Sequence, residues 1–167
     1  MEKEYLYTTF GTKEVLQTIQ QQHPDRPIYL TFDRDDHERF QLIEYSKNAN
    51  SPFNSGIKYE ILLSQKKIID LRGMMAWSYL TLNDEEREYF ILRTKAWMDG
   101  LNSLNGLINI CLVQVASGFD YAILMTWKTE KDFQKFQPKR DDFFKSFQYN
   151  SGVHLRSKEF QFAKLIN

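Results

Sequence analysis

Only one cysteine, Cys111, occurs in the 167 residues, so no internal disulfide framework can staple the fold. Nowhere does an apolar run reach the length of a membrane-spanning helix. An excess of one charge is missing too. The 22 basic and 22 acidic residues give a formal net charge of +0, and nothing resembles the clustered positive surface of a nucleic-acid binder. The opening Met1-Glu2-Lys3-Glu4-Tyr5 is polar and acidic, unlike a secretory leader. There is no Gly-rich phosphate loop and no nucleophile elbow. The acidic stretch Asp33-Arg34-Asp35-Asp36-His37-Glu38 lacks the glycine and distal glutamate of an EF-hand, so it reads as a solvated hairpin tip. No metal site is expected. These absences point to a cytoplasmic protein, with a peripheral membrane contact left open.

What is abundant is aromatic side chain, 15% of residues within a hydrophobic total of 42%. The most informative stretch is Phe119 to Phe147. Phe119, Tyr121, Ile123, Met125 and Trp127 alternate with Asp120, Ala122, Leu124 and Thr126, the period-2 pattern of a strand covered on both faces. Thr129-Glu130-Lys131-Asp132 then resembles a capping box, and the period changes to 3.6. Phe133, Phe136, Phe143, Phe144 and Phe147 recur at helical spacing. Pro138 lacks an N–H and crowds the preceding turn, so the spacing predicts two short helices with a break near Gln137-Pro138. The aromatic face is either plain core or the wall of a ligand cavity. Its candidate lining is Trp97, Phe119, Trp127, Phe133, Phe136 and Phe144.

In chain order, Tyr5–Phe10 reads as a strand, and Thr12 caps a helix to about Gln22. Ile28–Phe32 and Arg39–Tyr45 read as a hairpin, and Tyr59–Ser64 as a further strand. Met74–Leu82 is a strand. Asn83 or Asp84 caps the longest helix, from about Glu85 to Leu104, whose buried stripe is Tyr89, Phe90, Ala96, Trp97, Leu101 and Leu104 and whose stop is Asn105-Gly106. Leu107–Ala116 pairs with the Phe119 strand, and Phe160–Ile166 closes the chain. Residues 66–167 thus follow the β-α-β-β-α-β order of a ferredoxin-like unit, and residues 1–65 a shortened version of it. The fold class is α+β. Two such units can join their sheets into a barrel, a pseudo-dimer within one chain.

Isolated functional residues have plain readings. Cys111 lies among Ile110, Leu112 and Val113, and a buried structural thiol is the better reading. His23 ends a helix beside Pro24 as a solvated residue. Lys139-Arg140, next to Asp141-Asp142, reads as surface.

Several segments resemble one family. Leu6-Tyr7-Thr8-Thr9-Phe10-Gly11-Thr12, followed by Leu16 and Ile19, resembles the opening of the TRAP signal-transduction family and of two-lobed bacterial haem-degrading monooxygenases. Tyr59-Glu60-Ile61 is similar to a Tyr-Glu-Val segment of that group. Trp127-Lys128-Thr129-Glu130 with Phe133 resembles the strand-to-helix junction of the antibiotic-biosynthesis-monooxygenase (ABM) domain. Ser151-Gly152-Val153-His154 resembles a Ser-Gly-x-His stretch near the TRAP C-terminus, where histidines are proposed phosphorylation sites. The resemblance implies a dimeric-type α+β barrel, here pseudo-dimeric.

It also implies two functions. Haem-degrading members hold haem between helices and sheet with an Asn, a Trp and an axial His. Carried over by position, the Trp falls on Phe136, the His on Ser146, and the Asn near Ser78 or Tyr79. None is retained, and a hydroxyl is a poor replacement for imidazole on haem iron. The primary expectation is therefore a non-catalytic, TRAP-like ABM protein in signalling or stress response, with His154 as a candidate phosphorylation site. It would work through a protein partner or self-association. The alternative is a haem-binding, haem-degrading or cofactor-independent monooxygenase with an atypical site, taking a small apolar or aromatic ligand. Haem is the one cofactor implied.

Overall fold

Among the described residues, eight strands close into a single antiparallel barrel around which three helices are laid. The computed structural model describes residues 2–66, 71–115, 118–147 and 156–163. The first half of the chain supplies β1 (Tyr5–Gly11), α1 (Lys13–Gln21), β2 (Ile28–Asp33), β3 (Phe40–Ser46) and β4 (Ile57–Ser64). The second supplies β5 (Met74–Thr81), α2 (Asp84–Asp99), β6 (Leu107–Val115), β7 (Asp120–Trp127), α3 (Glu130–Lys145) and β8 (Arg156–Phe162).

Around the barrel the order is β1-β3-β2-β8-β5-β7-β6-β4. The runs β4-β1-β3-β2 and β8-β5-β7-β6 repeat one arrangement, so the chain is built as an internal pair of ferredoxin-like halves. They are joined where β2 meets β8 and β4 meets β6. Closure leaves no unpaired sheet edge. The halves differ at one place. Where the second half has α3 between its last two strands, the first has only a loop, residues 47–56, which contributes the buried ring of Phe53. Among the described residues, no helix is long and apolar enough to cross a membrane.

Strand alternation divides the core. Met75 and Trp77 of β5, Ala122 and Leu124 of β7, and Phe160 of β8 point into the barrel with Leu6, Ile43 and Cys111. Met74, Ala76 and Leu80 of β5, with Tyr121, Ile123, Met125 and Trp127 of β7, face α2 and α3. A third cluster, including Tyr7, Leu16, Leu30 and Leu42, lies beneath α1. The pattern of β7 is therefore that of a strand buried on both sides, as its sequence predicts.

Several expectations need correction. The helix after β7 is not broken: α3 runs unbroken through Pro138. Pro138 is exposed, as is Gln134 one turn earlier, so the carbonyl that loses its helical partner faces water and the bend can be convex outward. Helix α2 ends at Asp99, with Gly100 as its C-cap, well before Asn105-Gly106. Gly106 instead makes the turn into β6 at φ +86, where a Cβ would lie 2.3 Å from Asp132 Oδ2. The buried residues of α2 are Phe90, Thr94 and Met98, while Tyr89 and Ala96 are exposed. Phe119 precedes the ladder of β7. Its carbonyl accepts from the Leu82 N–H at 2.8 Å, but its ring is 54% exposed, which removes it from the aromatic lining.

The acidic turn is also only partly solvated. Asp33 is fully buried, accepting from the Asp35 N–H at 2.8 Å and from Lys158 Nζ at 3.2 Å.

Candidate functional site

The layer between α3 and the sheet begins with a strong local signal. The Thr129 hydroxyl accepts from the Asp132 N–H and donates to Asp132 Oδ2, fixing where α3 starts. From there Phe133, Phe136, Arg140, Phe143 and Phe144 are buried along one face. Trp127 meets Phe133 and Phe136 with ring centroids 6.1 and 5.4 Å apart. Trp97 comes from α2, stacks on Phe136 at 6.0 Å, and lies on Phe143 at 4.1 Å and an interplanar angle of 4°. Phe147 packs edge-on against Phe90 at 4.9 Å and Phe143 at 5.1 Å. Five of the six predicted lining residues thus come together: Trp97, Trp127, Phe133, Phe136 and Phe144. They form an interlocked aromatic layer of offset and edge-on contacts.

The positions carried over from the haem enzymes separate. Ser78 is buried on β5 and, two residues from Ala76 and Leu80, shares the helix-facing side with Phe136. Tyr79 points the other way, into the barrel, where its ring is parallel to that of Trp77 at 5.5 Å. Ser146 is the exposed C-cap of α3, and its hydroxyl donates to the Phe143 carbonyl at 2.6 Å. His154 lies outside the described residues.

These residues do not fit a haem. In the layer between helices and sheet, where the resemblance puts haem, Trp97 and Phe143 are in contact at 4.1 Å. The position carried over for the axial ligand holds a hydroxyl engaged with its own helix. Within the layer, the Trp127 indole N–H has no partner among the described residues, but it is a donor only and cannot ligate iron. Among the described residues, no group of His, Cys, Asp or Glu is arranged to hold a metal ion. The Cys111 thiol is fully buried, and burial pushes its pKa up to about 12.

Arg140 is the residue sequence reasoning placed wrongly. It is 2% exposed, not on the surface. Its guanidinium lies over the Phe133 ring at 5.0 Å, Nη2 reaches Asp141 Oδ1 at 3.3 Å, and Nη1 has no hydrogen-bond partner among the described residues. The legible signal was its spacing, four residues after Phe136 and three before Phe143, within the apolar stripe.

Two described cavities lie away from this layer. One mouth of the barrel holds a cavity of about 630 Å³ walled by Phe10, Tyr59, Tyr79 and Phe160, with Arg39, Arg156, Lys158 and Asp120 among its charged residues. Burial raises the pKa of Tyr59 to about 12 and drives that of Tyr79 up as well. A second space, of about 510 Å³, runs between α1 and β2–β3 and is lined by Tyr29, Phe32, His37 and Phe40, among others. Neither cavity was read from the sequence.

No protein-family model matches the chain. Solved structures do. A monooxygenase-like protein from Listeria innocua superposes with a TM-score of 0.81 over 98% of this chain and 96% of its own, at 18% identity. The chain shares the ferredoxin-like ABM fold. A haem-degrading enzyme from Listeria monocytogenes matches with a TM-score of 0.74 and 18% identity, covering 95% of this chain and 99% of the enzyme. A structure described as a major regulator of staphylococcal pathogenesis matches with a TM-score of 0.81 and 15% identity, covering 96% and 99%. At these identities the likeness shows the ABM fold and leaves activity to be argued from the site. Membership of the TRAP family has no support beyond the motifs quoted above.

Proposed function

We propose that this is a non-catalytic ABM-fold protein that acts in signalling or stress response by contact with another protein. The observation that supports this most is the 4.1 Å stack of Trp97 on Phe143, in the layer between helices and sheet to which the resemblance assigns haem. The Phe at position 136 and the Ser at positions 78 and 146 agree with it. So does the likeness to the staphylococcal regulator, though only at the level of fold. The test is aerobic incubation of the protein with haem and a reductant. Loss of the haem spectrum no faster than in a protein-free control is expected. Catalytic loss, with release of iron, would reject the proposal.

A second reading is a cofactor-independent monooxygenase. It draws on the likeness to a monooxygenase-like protein and to an anthrone oxidase-like protein, the latter with a TM-score of 0.71 at 7% identity. Such an enzyme needs only an electron-rich substrate held away from water. Oxygen uptake with an anthrone as substrate, dependent on protein concentration, would favour this reading over the first.

A further inference from the structure

We infer that the barrel mouth is a binding site for a small aromatic carboxylate. The space there, about 630 Å³, is within the usual range for small-ligand pockets. Its walls are flat rings. Phe10 and Phe160 meet at 6.1 Å, Tyr59 lies against Trp77 at 5.6 Å, and Trp77 and Tyr79 stack in parallel. A planar ligand would continue this stack. Tyr59, which is buried, and Tyr79, which is half-buried, both line the space, so two phenols can meet a ligand there.

The charges select an anion. Asp33, beside the mouth, is matched by Lys158 at 3.2 Å. Asp120 accepts from the Thr81 hydroxyl at 2.9 Å and keeps its negative charge, which the two of Arg39 and Arg156 outweigh, so the lining is net positive. Arg39 and Arg156 remain without a carboxylate partner among the described residues. Their guanidinium groups lie over Phe10 at 4.6 Å and Tyr79 at 5.7 Å, and both side chains line the cavity. Two guanidinium groups above an apolar floor suit a carboxylate, whose oxygens accept paired N–H donors while the ring enters the barrel. The two cations come from the β2–β3 turn and the start of β8, more than a hundred residues apart in sequence. The site exists only because the barrel closes within one chain. It is separate from the aromatic layer under α3, so it stands whether or not haem is excluded there.

The test is calorimetric titration of the full chain with 2-naphthoate, 2-naphthol and octanoate. Saturable one-site binding of 2-naphthoate is expected, with 2-naphthol and octanoate each weaker by about tenfold or more, for want of the charge and the ring respectively. The Arg39→Gln/Arg156→Gln double variant should lose about tenfold in 2-naphthoate affinity with its melting temperature unchanged, since both side chains are exposed. An Arg93→Gln/Lys95→Gln variant, which removes the same charge from the outer face of α2, should bind as the parent does. No saturable binding up to about 1 mM overturns the inference. So does equal affinity for the three probes, or equal loss in the two double variants.

Discussion

The indole of Trp97 lies flat on the ring of Phe143, 4.1 Å away and within 4° of parallel. One residue comes from α2 and the other from the last turn of α3, so the stack ties the two helices together, alongside the contacts of Phe90 with Phe143 and Phe147. Phe136, Phe144 and Phe147 pack around it. Replacing Phe143 by Ala removes the centre of this layer and should cost about 3–5 kcal/mol in urea unfolding. A cost below about 1 kcal/mol would mean that the layer is loosely packed.

Pro138 sits inside a continuous helix with its ring in solvent. Proline there costs a helical hydrogen bond and gives no packing in return. Pro138→Ala should therefore stabilise the protein by about 1–3 kcal/mol, part of the proline penalty for a helix interior. An unchanged or lowered unfolding midpoint would show that the missing hydrogen bond at Pro138 carries no net cost in this helix.

Asp33 should leave a mark on the acid limb of stability. Burial works to raise its pKa, but the Asp35 N–H, the Lys158 hydrogen bond and the Lys158 charge together hold it below the usual carboxylate range. A carboxyl depressed in the folded state contributes stability above its unfolded pKa, about 3.9, and loses that contribution as pH falls through the folded value. Melting curves of the parent and Asp33→Asn should differ by a constant amount near neutrality. The difference should shrink below about pH 4. A difference independent of pH would assign the loss to packing instead.

Cys111 points into the barrel, with its thiol pKa pushed up to about 12 by burial. The native protein at pH 8 should not react with an aromatic disulfide reagent, whereas in denaturant one thiol per chain should react at once. Fast native reaction would show that the barrel opens.

The parts of this molecule that were legible in its sequence are local. Thr129 and Asn83 cap the helices they precede, and the alternation from Tyr121 to Trp127 gives a strand buried on both faces. The β-α-β-β-α-β order of residues 66–167 also came through, because each element carries its own period. What failed depended on partners far along the chain. Asp33 read as solvated because its counter-charge, Lys158, lies 125 residues away. Pro138 read as a break because the sequence alone did not place it on the exposed face. Phe119 fitted the alternation, yet it falls one residue before the ladder starts. The mouth cavity is assembled from the ends of strands scattered over the whole chain, so no motif could announce it.

Aromatic side chains interlock between the helices and the sheet of this ABM-fold barrel. Equilibrium titration with haem, followed in the Soret region, tests this most directly. No saturable shift at low micromolar haem is predicted, for the parent and for a Ser146→His variant alike. A tight one-to-one complex with the parent protein would contradict it.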